Sequence, residues 1–223
     1  MPAEILSGRD VANVLKDEVA ARVARLAGVG KSVGLATVLV GEDPASKIYV
    51  RNKHRAARRV GMDSFDFTLP ATATQGEVEA LIGRLNEDDD VDGMIVQLPL
   101  PDHLDGSAAV LTIAPAKEAD GLPPYNLGLL VLDEPGPRPA TPTGILRILE
   151  HYDIDPSGKR AVVVGRSFLV GRPIAMMLAR KGVDATVTQA HSRTPDLGRL
   201  LAEADILVVA AGRPLSLIHI SEP

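Results

Sequence analysis

The sequence contains no cysteine, which removes disulfides, thiolate nucleophiles and cysteine-based zinc sites together. It has no tryptophan, and aromatic residues make up only 3% of it, so its core has to be aliphatic and alanine-rich. No apolar run approaches the roughly 20 residues of a membrane-spanning helix. The opening "MPAEILSGRD" lacks both the charged and apolar layout of a secretory signal and the Arg/Ser-rich character of a transit peptide. An excess of positive charge is also missing: the net charge of −5 argues against a surface that coats nucleic acid. The histidines (His54, His103, His151, His191 and His219) are scattered without metal-ligand spacing, so no metal site is expected. What remains is a chain of 223 residues, 45% hydrophobic and 24% charged, ordinary for a globular protein with a sizeable core. The expectation is a soluble cytoplasmic protein with neither a membrane nor a nucleic acid as partner.

Strand-like and helix-like segments alternate. Gly34–Gly41, Asp92–Pro101, Ala161–Gly165, Asp184–Ala190 and Ala204–Gly212 are short, continuous, β-branched-rich runs, the pattern of strands buried on both faces. Helical patterns cover Val11–Leu26, Pro44–Val60, Gln75–Asn86, Gly144–His151 and Pro173–Lys181. This alternation predicts an α/β fold with parallel sheets. The proline-rich stretch "LDEPGPRPATPTG", Leu132–Gly144, reads as an interdomain connector and divides the chain into 1–139 and 140–214. The last segment, 215–223, follows no helix or strand pattern and reads as a foreign, artefactual tail. The second half has fewer strands than a nucleotide-binding sheet ordinarily carries, so that domain is expected to be incomplete at its carboxyl end.

In the second half, "AVVVGRSFLVGRPIAMMLARKG" reads as strand, glycine-bearing turn and helix, a layout that aims backbone N–H groups at a phosphate. Gly165 and Gly171 do not fit the G-x-G-x-x-G spacing, so alone the turn is a weak signal and reads better as a plain βα connection. The end of the next strand, "QAHSRT", offers His191, Ser192 and Arg193 where an NAD site ordinarily has an acid. With Arg166 in the turn, this pattern suits the 2′-phosphate of NADP better than NAD.

In the first half, "SKIYVRNKHRAARRVG" forms a helix opened by Asp43-Pro44 and closed at Gly61. The ladder Ile48, Asn52, Ala56, Val60 is expected to face the sheet, with Tyr49 and Lys53 stacked at the edge of that face. A lysine half-desolvated beside a tyrosine is a proton-transfer candidate. From the helix alone, though, a snorkelling lysine over a packed tyrosine fits better. Gln97, inside the apolar "MIVQLPLP", needs hydrogen-bond partners near the carboxyl end of a strand, where α/β sheets bind ligands. Asp120 in "KEADGLPPYN" is either a ligand-facing acid on a rigid loop or a turn-forming Asp-Gly.

Taken in order, "VGEDPASKIYVRNKHRAARRVG", "DGMIVQLPLP", "KEADGLPPYN", "TPTGI", "VVVGRSFLVGRP" and "HSRT" closely resemble the bifunctional methylenetetrahydrofolate dehydrogenase/methenyltetrahydrofolate cyclohydrolase family, from about Ile5 to Pro214. The resemblance implies an amino-terminal α/β catalytic domain, a Rossmann-like NADP-binding domain, a folate cleft between them, and a homodimer. It implies NADP-dependent oxidation of 5,10-methylenetetrahydrofolate and hydrolysis of the product to 10-formyltetrahydrofolate, within one-carbon metabolism and purine biosynthesis. It assigns Tyr49, Lys53, Gln97 and Asp120 to catalysis, with Val96 and Leu98 beside them against the folate. Gly165, Arg166, Ser167 and Ser192 are assigned to the cofactor.

The chain departs from the family pattern in places. Pro123 stands where the family often has histidine, and Ala140 where it often has cysteine. The strands, "PGGVGP" loop and closing helix that the resemblance implies beyond Pro214 are not in this sequence. The alternative reading is therefore a non-catalytic NADP-binding fragment.

Overall fold

The structure is a computed structural model that describes residues 4–211. It separates into two compact units, Arg9–Pro123 and the described parts of 1–8 with 124–223. The segment 215–223, read from the sequence as a foreign tail, lies outside the described residues.

The amino-terminal unit contains α1 (Gly8–Ala27, entered from the other unit), β1 (Gly34–Val40), α2 (Pro44–Arg59), β2 (Asp63–Leu69), α3 (Gln75–Glu87), β3 (Gly93–Val96) and α4 (Gly106–Leu111). Its sheet is parallel in the order β2-β1-β3. Central β1 is apolar along almost its whole length because both of its faces are covered. Ala36, Val38 and Val40 of β1 meet Val78, Leu81, Ile82 and Leu85 of α3 in a core that Met94 and Val96 of β3 complete. The capping box of Thr74 and Glu77 opens α3, each side chain satisfying the other's backbone N–H. β2 was not expected: "DSFDFTL" alternates polar and apolar, and the structure places it at the edge of the sheet with one side open.

The carboxy-terminal unit contains α5 (Pro124–Val131), α6 (Ala140–His151), β4 (Arg160–Val164), α7 (Gly171–Ala179), β5 (Thr186–Ala190), α8 (Leu197–Ala202) and β6 (Ile206–Val209). The sheet, again parallel, has the order β5-β4-β6. Ala161 and Val163 of β4 pack with Leu149 of α6 and Ile174 and Leu178 of α7 on one face. Val162 and Val164 point the other way, toward Leu197 and Leu201 of α8. Helices on both faces of a parallel sheet make this a doubly wound arrangement.

The units meet the sequence division of 1–139 and 140–214 only in part. Residues 124–139, placed with the first domain by that division, are held by the second unit: α5 packs on α7, Leu130 is buried, and Arg180 pairs with Asp133 at 3.9 Å. The expected connector is also partly helical, because α6 begins at Ala140, ahead of Gly144, where the pattern places its start. Residues before α1 join the same unit, where the Ser7 N–H donates to the Tyr152 hydroxyl at 2.7 Å.

Candidate active site

The chain leaves β1 through Gly41, whose φ of 83° suits glycine, and enters α2 at Asp43 and Pro44. The Asp43 carboxylate caps the helix by accepting the Ser46 N–H at 2.7 Å. That N–H, with the Ser46 hydroxyl, holds Asp43 below its ordinary value of 3.8.

The buried face of α2 is Ser46, Val50, His54 and Ala57, which corrects the expected ladder of Ile48, Asn52, Ala56 and Val60. Of that ladder only Val60 is buried, and Ile48 is 50% exposed. The physical reason lies on β2. His54 turns inward because its ring meets Ser64 and lies 3.4 Å from Asp66 Oδ1, partners that a helix read alone cannot reveal. The helix is thereby rotated about its axis, and Tyr49 stands 61% exposed while Lys53, one turn further on, is half-buried.

Lys53 Nζ donates to Gln97 Oε1 at 3.4 Å. Gln97 lies just past the end of β3, which stops at Val96, short of the strand expected to reach Pro101. Its backbone N–H still reaches Val38 O at 2.9 Å, and its side-chain amide donates to Leu98 O at 2.8 Å. The Leu98–Pro99 bond that follows is cis. Val96 is buried and Leu98 is exposed. The structure thus brings Lys53 of α2 and Gln97, just beyond β3, together at the carboxyl end of the sheet, the end where such sheets bind ligands.

Asp120 arrives from a separate segment stitched to the same strand. Met94 N–H donates to Lys117 O at 2.6 Å, and Ala119 N–H to Met94 O at 3.2 Å. Asp120 is half-buried in this loop, and Gly121 after it has φ of 69°, so the Asp-Gly pair also forms a turn. The sequence reading missed Glu118, which is 3% exposed and accepts the backbone N–H of Asp120.

In the carboxy-terminal unit, Val164 pairs with Ala190, so β4 and β5 end side by side. Gly165, Arg166 and Ser167 leave the first, and His191, Ser192 and Arg193 leave the second. The Gly165 N–H donates to Ala190 O at 2.8 Å, and Gln189 Nε2 donates to Gly165 O at 3.1 Å, so the two turns are tied together. Gln189 is a second residue that sequence reading passed over. The turn is tight: a Cβ on Gly171 would stand 2.4 Å from Gly165 O. Ser167 Oγ accepts the Val170 N–H at 3.2 Å just before α7. Arg166, Ser167 and Ser192 are all exposed at this edge. A close backbone cradle ahead of a helix, with cations and hydroxyls where an acid would exclude a phosphate, fits NADP.

Among the described residues no acid or histidine cluster could hold a metal ion, and no helix is long and apolar enough to cross a membrane.

Comparison with known proteins places these two units. The family described as tetrahydrofolate dehydrogenase/cyclohydrolase, catalytic domain, matches residues 6–120, and its NAD(P)-binding domain matches 139–220. The second match therefore runs into the segment that the sequence reading set apart as a tail. A bifunctional protein FolD from Synechococcus sp. (strain RCC307) is 52% identical over 215 residues, covering 96% of this chain and 73% of the relative. Among solved structures, the bifunctional FolD of Campylobacter jejuni superposes with a TM-score of 0.90 at 40% identity, over 94% of this chain and 74% of that one. The Trypanosoma brucei enzyme, solved with NADP cofactor and an inhibitor, gives 0.88 at 40% identity, over 96% and 74%. With the lysine–glutamine pair, the doubly wound nucleotide edge and these likenesses all in hand, the chain belongs to the tetrahydrofolate dehydrogenase/cyclohydrolase family.

Proposed function

We propose that this chain oxidises 5,10-methylenetetrahydrofolate with NADP⁺ and hydrolyses the resulting 5,10-methenyl cation to 10-formyltetrahydrofolate, with Tyr49, Lys53, Gln97 and Asp120 as its working residues. Family membership supports the reactions. The observation that supports the residues is the Lys53–Gln97 hydrogen bond, 3.4 Å long, between a helix and a strand end. A surface lysine that merely snorkels has no need of a strand-end glutamine.

In this reading the amino-terminal unit binds the folate. Tyr49, exposed on the same side of α2, offers a ring face to the pterin and aligns it. Asp120 accepts hydrogen bonds from the pterin's amino and ring N–H groups. Val96 and Leu98 supply apolar contact beside Gln97. Lys53 Nζ takes the proton of the water that attacks the methenyl carbon, and Gln97 Oε1 holds that amine in direction. Ring opening then leaves the formyl group on N10.

The carboxy-terminal unit holds NADP, with Gly165 and Ser167 at the pyrophosphate and Arg166 and Ser192 at the 2′-phosphate. Bound NADP⁺ supplies the hydride acceptor. Replacing Arg166 and Ser192 by alanine should raise the Kd for NADP⁺ on the order of tenfold, the scale of a lost charge-assisted hydrogen bond, and leave NAD⁺ nearly unchanged. Titrations of both cofactors check this, and equal losses would remove the assignment of the 2′-phosphate site.

The same reading makes the enzyme a cytoplasmic homodimer that feeds one-carbon units to purine biosynthesis. Sedimentation velocity checks the dimer: a single species at the 23.5 kDa mass of one chain would overturn it.

A further inference from the structure

We infer that Glu118 is a positioning residue that sets the direction of Asp120, an inference that rests on the reading of Asp120 as a folate ligand. Glu118 is a carboxylate with only 3% of its surface exposed. A buried carboxylate is costly unless donors surround it, so what it binds is informative. Its oxygens accept three successive backbone N–H groups: Asp120 at 3.0 Å on Oε1, then Gly121 at 2.7 Å and Leu122 at 3.2 Å on Oε2. Amides that follow one another and converge on one anion form a nest. Here the anion belongs to the protein, and the nest is the backbone that carries Asp120.

The geometry has a second anchor. Glu118 forms a parallel bridge with Met94, and Lys117 O and Ala119 N–H bond the two sides of Met94. Met94 is fully buried in the sheet, in the same strand that runs on to Gln97. The base of the Asp120 loop is therefore fixed to the strand that presents Gln97. Glu118 then folds the next residues back over its own side chain. Gly121, with φ of 69°, supplies the left-handed residue that lets the second and third N–H groups turn inward. Without the carboxylate those amides have no shared acceptor, and the Asp120 side chain loses its fixed bearing relative to Gln97.

The test is a cycle of Glu118→Gln, Asp120→Asn and the double variant, read by the KM for 5,10-methylenetetrahydrofolate, the KM for NADP⁺, kcat and thermal melts. Glutamine keeps the shape and one acceptor oxygen but turns an amide N–H₂ toward backbone donors. We expect Glu118→Gln to raise the folate KM on the order of tenfold, as for a misdirected charge-assisted hydrogen bond, with the NADP⁺ KM unchanged. In the Asp120→Asn background it should add little, because one residue acts through the other. A normal folate KM in Glu118→Gln, or two effects that multiply fully, overturns the proposal even if the melting point falls. Asp120→Asn with a normal folate KM is a different failure, which removes the reading of Asp120 itself. Should the Glu118 variant not fold, amide hydrogen exchange in the unsubstituted chain decides: slow exchange at Asp120, Gly121 and Leu122 supports the nest, and fast exchange at all three overturns it.

Discussion

Replacing Lys53 with methionine is expected to abolish hydrolysis of 5,10-methenyltetrahydrofolate while hydride transfer to NADP⁺ falls far less. Methionine is unbranched and nearly as long, so it keeps the packing of the half-buried side chain at position 53, and the amine is all that is lost. The two reactions ask different things of the site. Hydride transfer depends mainly on holding two reactants in line. Water attack needs a group to take a proton, and such a group contributes roughly 10²–10⁴-fold. The Gln97 oxygen that Lys53 meets at 3.4 Å would be left without that donor, which is why an isosteric change should still be felt at the strand end. Following methenyl hydrolysis and NADPH formation in one preparation checks this. Hydrolysis at the unsubstituted rate in Lys53→Met would falsify the assignment of the lysine.

Gly165→Ala should destroy NADP binding and lower the melting temperature of the chain. The residue has φ of 128°, a region that side chains rarely adopt, and a Cβ there would stand 2.4 Å from Ala210 O. Its carbonyl is already approached by Gln189 Nε2 at 3.1 Å, and Gly171 crosses it so closely that a Cβ there would also stand 2.4 Å away. Little can give way, because the two nearest crowding atoms are the backbone O and C of Ala210 and the third is its Cβ, which has no rotamer to change. Backbone strain of this kind and forced overpacking each cost about 1–3 kcal/mol. The chain can relieve them only by moving the turn away from Ala210, which reshapes the cradle proposed for the cofactor. Thermal melts with and without NADP⁺ check both parts, since a ligand that binds only the folded chain raises the midpoint. A variant that still gains stability from NADP⁺ as the unsubstituted chain does would show that the turn is not the cradle.

Much of the first unit was legible because its signals are local. "GLATVLV" is apolar on both sides of the strand, Asp43-Pro44 is a helix start with its own capping group, and the strand-end Gln97 announced its need for a partner. The alternation of runs led correctly to parallel sheets, and the three central residues of β4, Ala161–Val163, are as buried as their composition implied. Most of the errors share one cause. The rotation of α2, the edge strand β2 and the pairing of Gln189 with Gly165 depend on partners distant in the chain, whereas the Glu118 carboxylate bonds the amides just after it and only its bridge to Met94 is distant. A periodicity read along one helix could choose Ile48 over Val50 because both are apolar, and only Ser64 and Asp66 on β2 decide that His54 goes inward.

Order and spacing along the chain set which chemistry is available: a tyrosine and lysine one helical turn apart, a glutamine at a strand end, an acid on a proline-bounded loop, and a glycine turn followed by Arg166, with Ser192 at the next strand's end. Those are covalent facts of order and spacing, and turn geometry and strand composition follow from them directly. How that chemistry is held follows from packing between segments. That packing set α2 about its axis through a histidine contact with β2, and stitched the Asp120 loop to Met94. It also buried a carboxylate under three amides and brought the ends of β4 and β5 together through the register of Val164 with Ala190. Burial is a property of the whole fold: the amides that satisfy Glu118 follow it in the chain, but its burial against Met94, like the inward turn of His54, comes from segments that a local window of sequence does not contain.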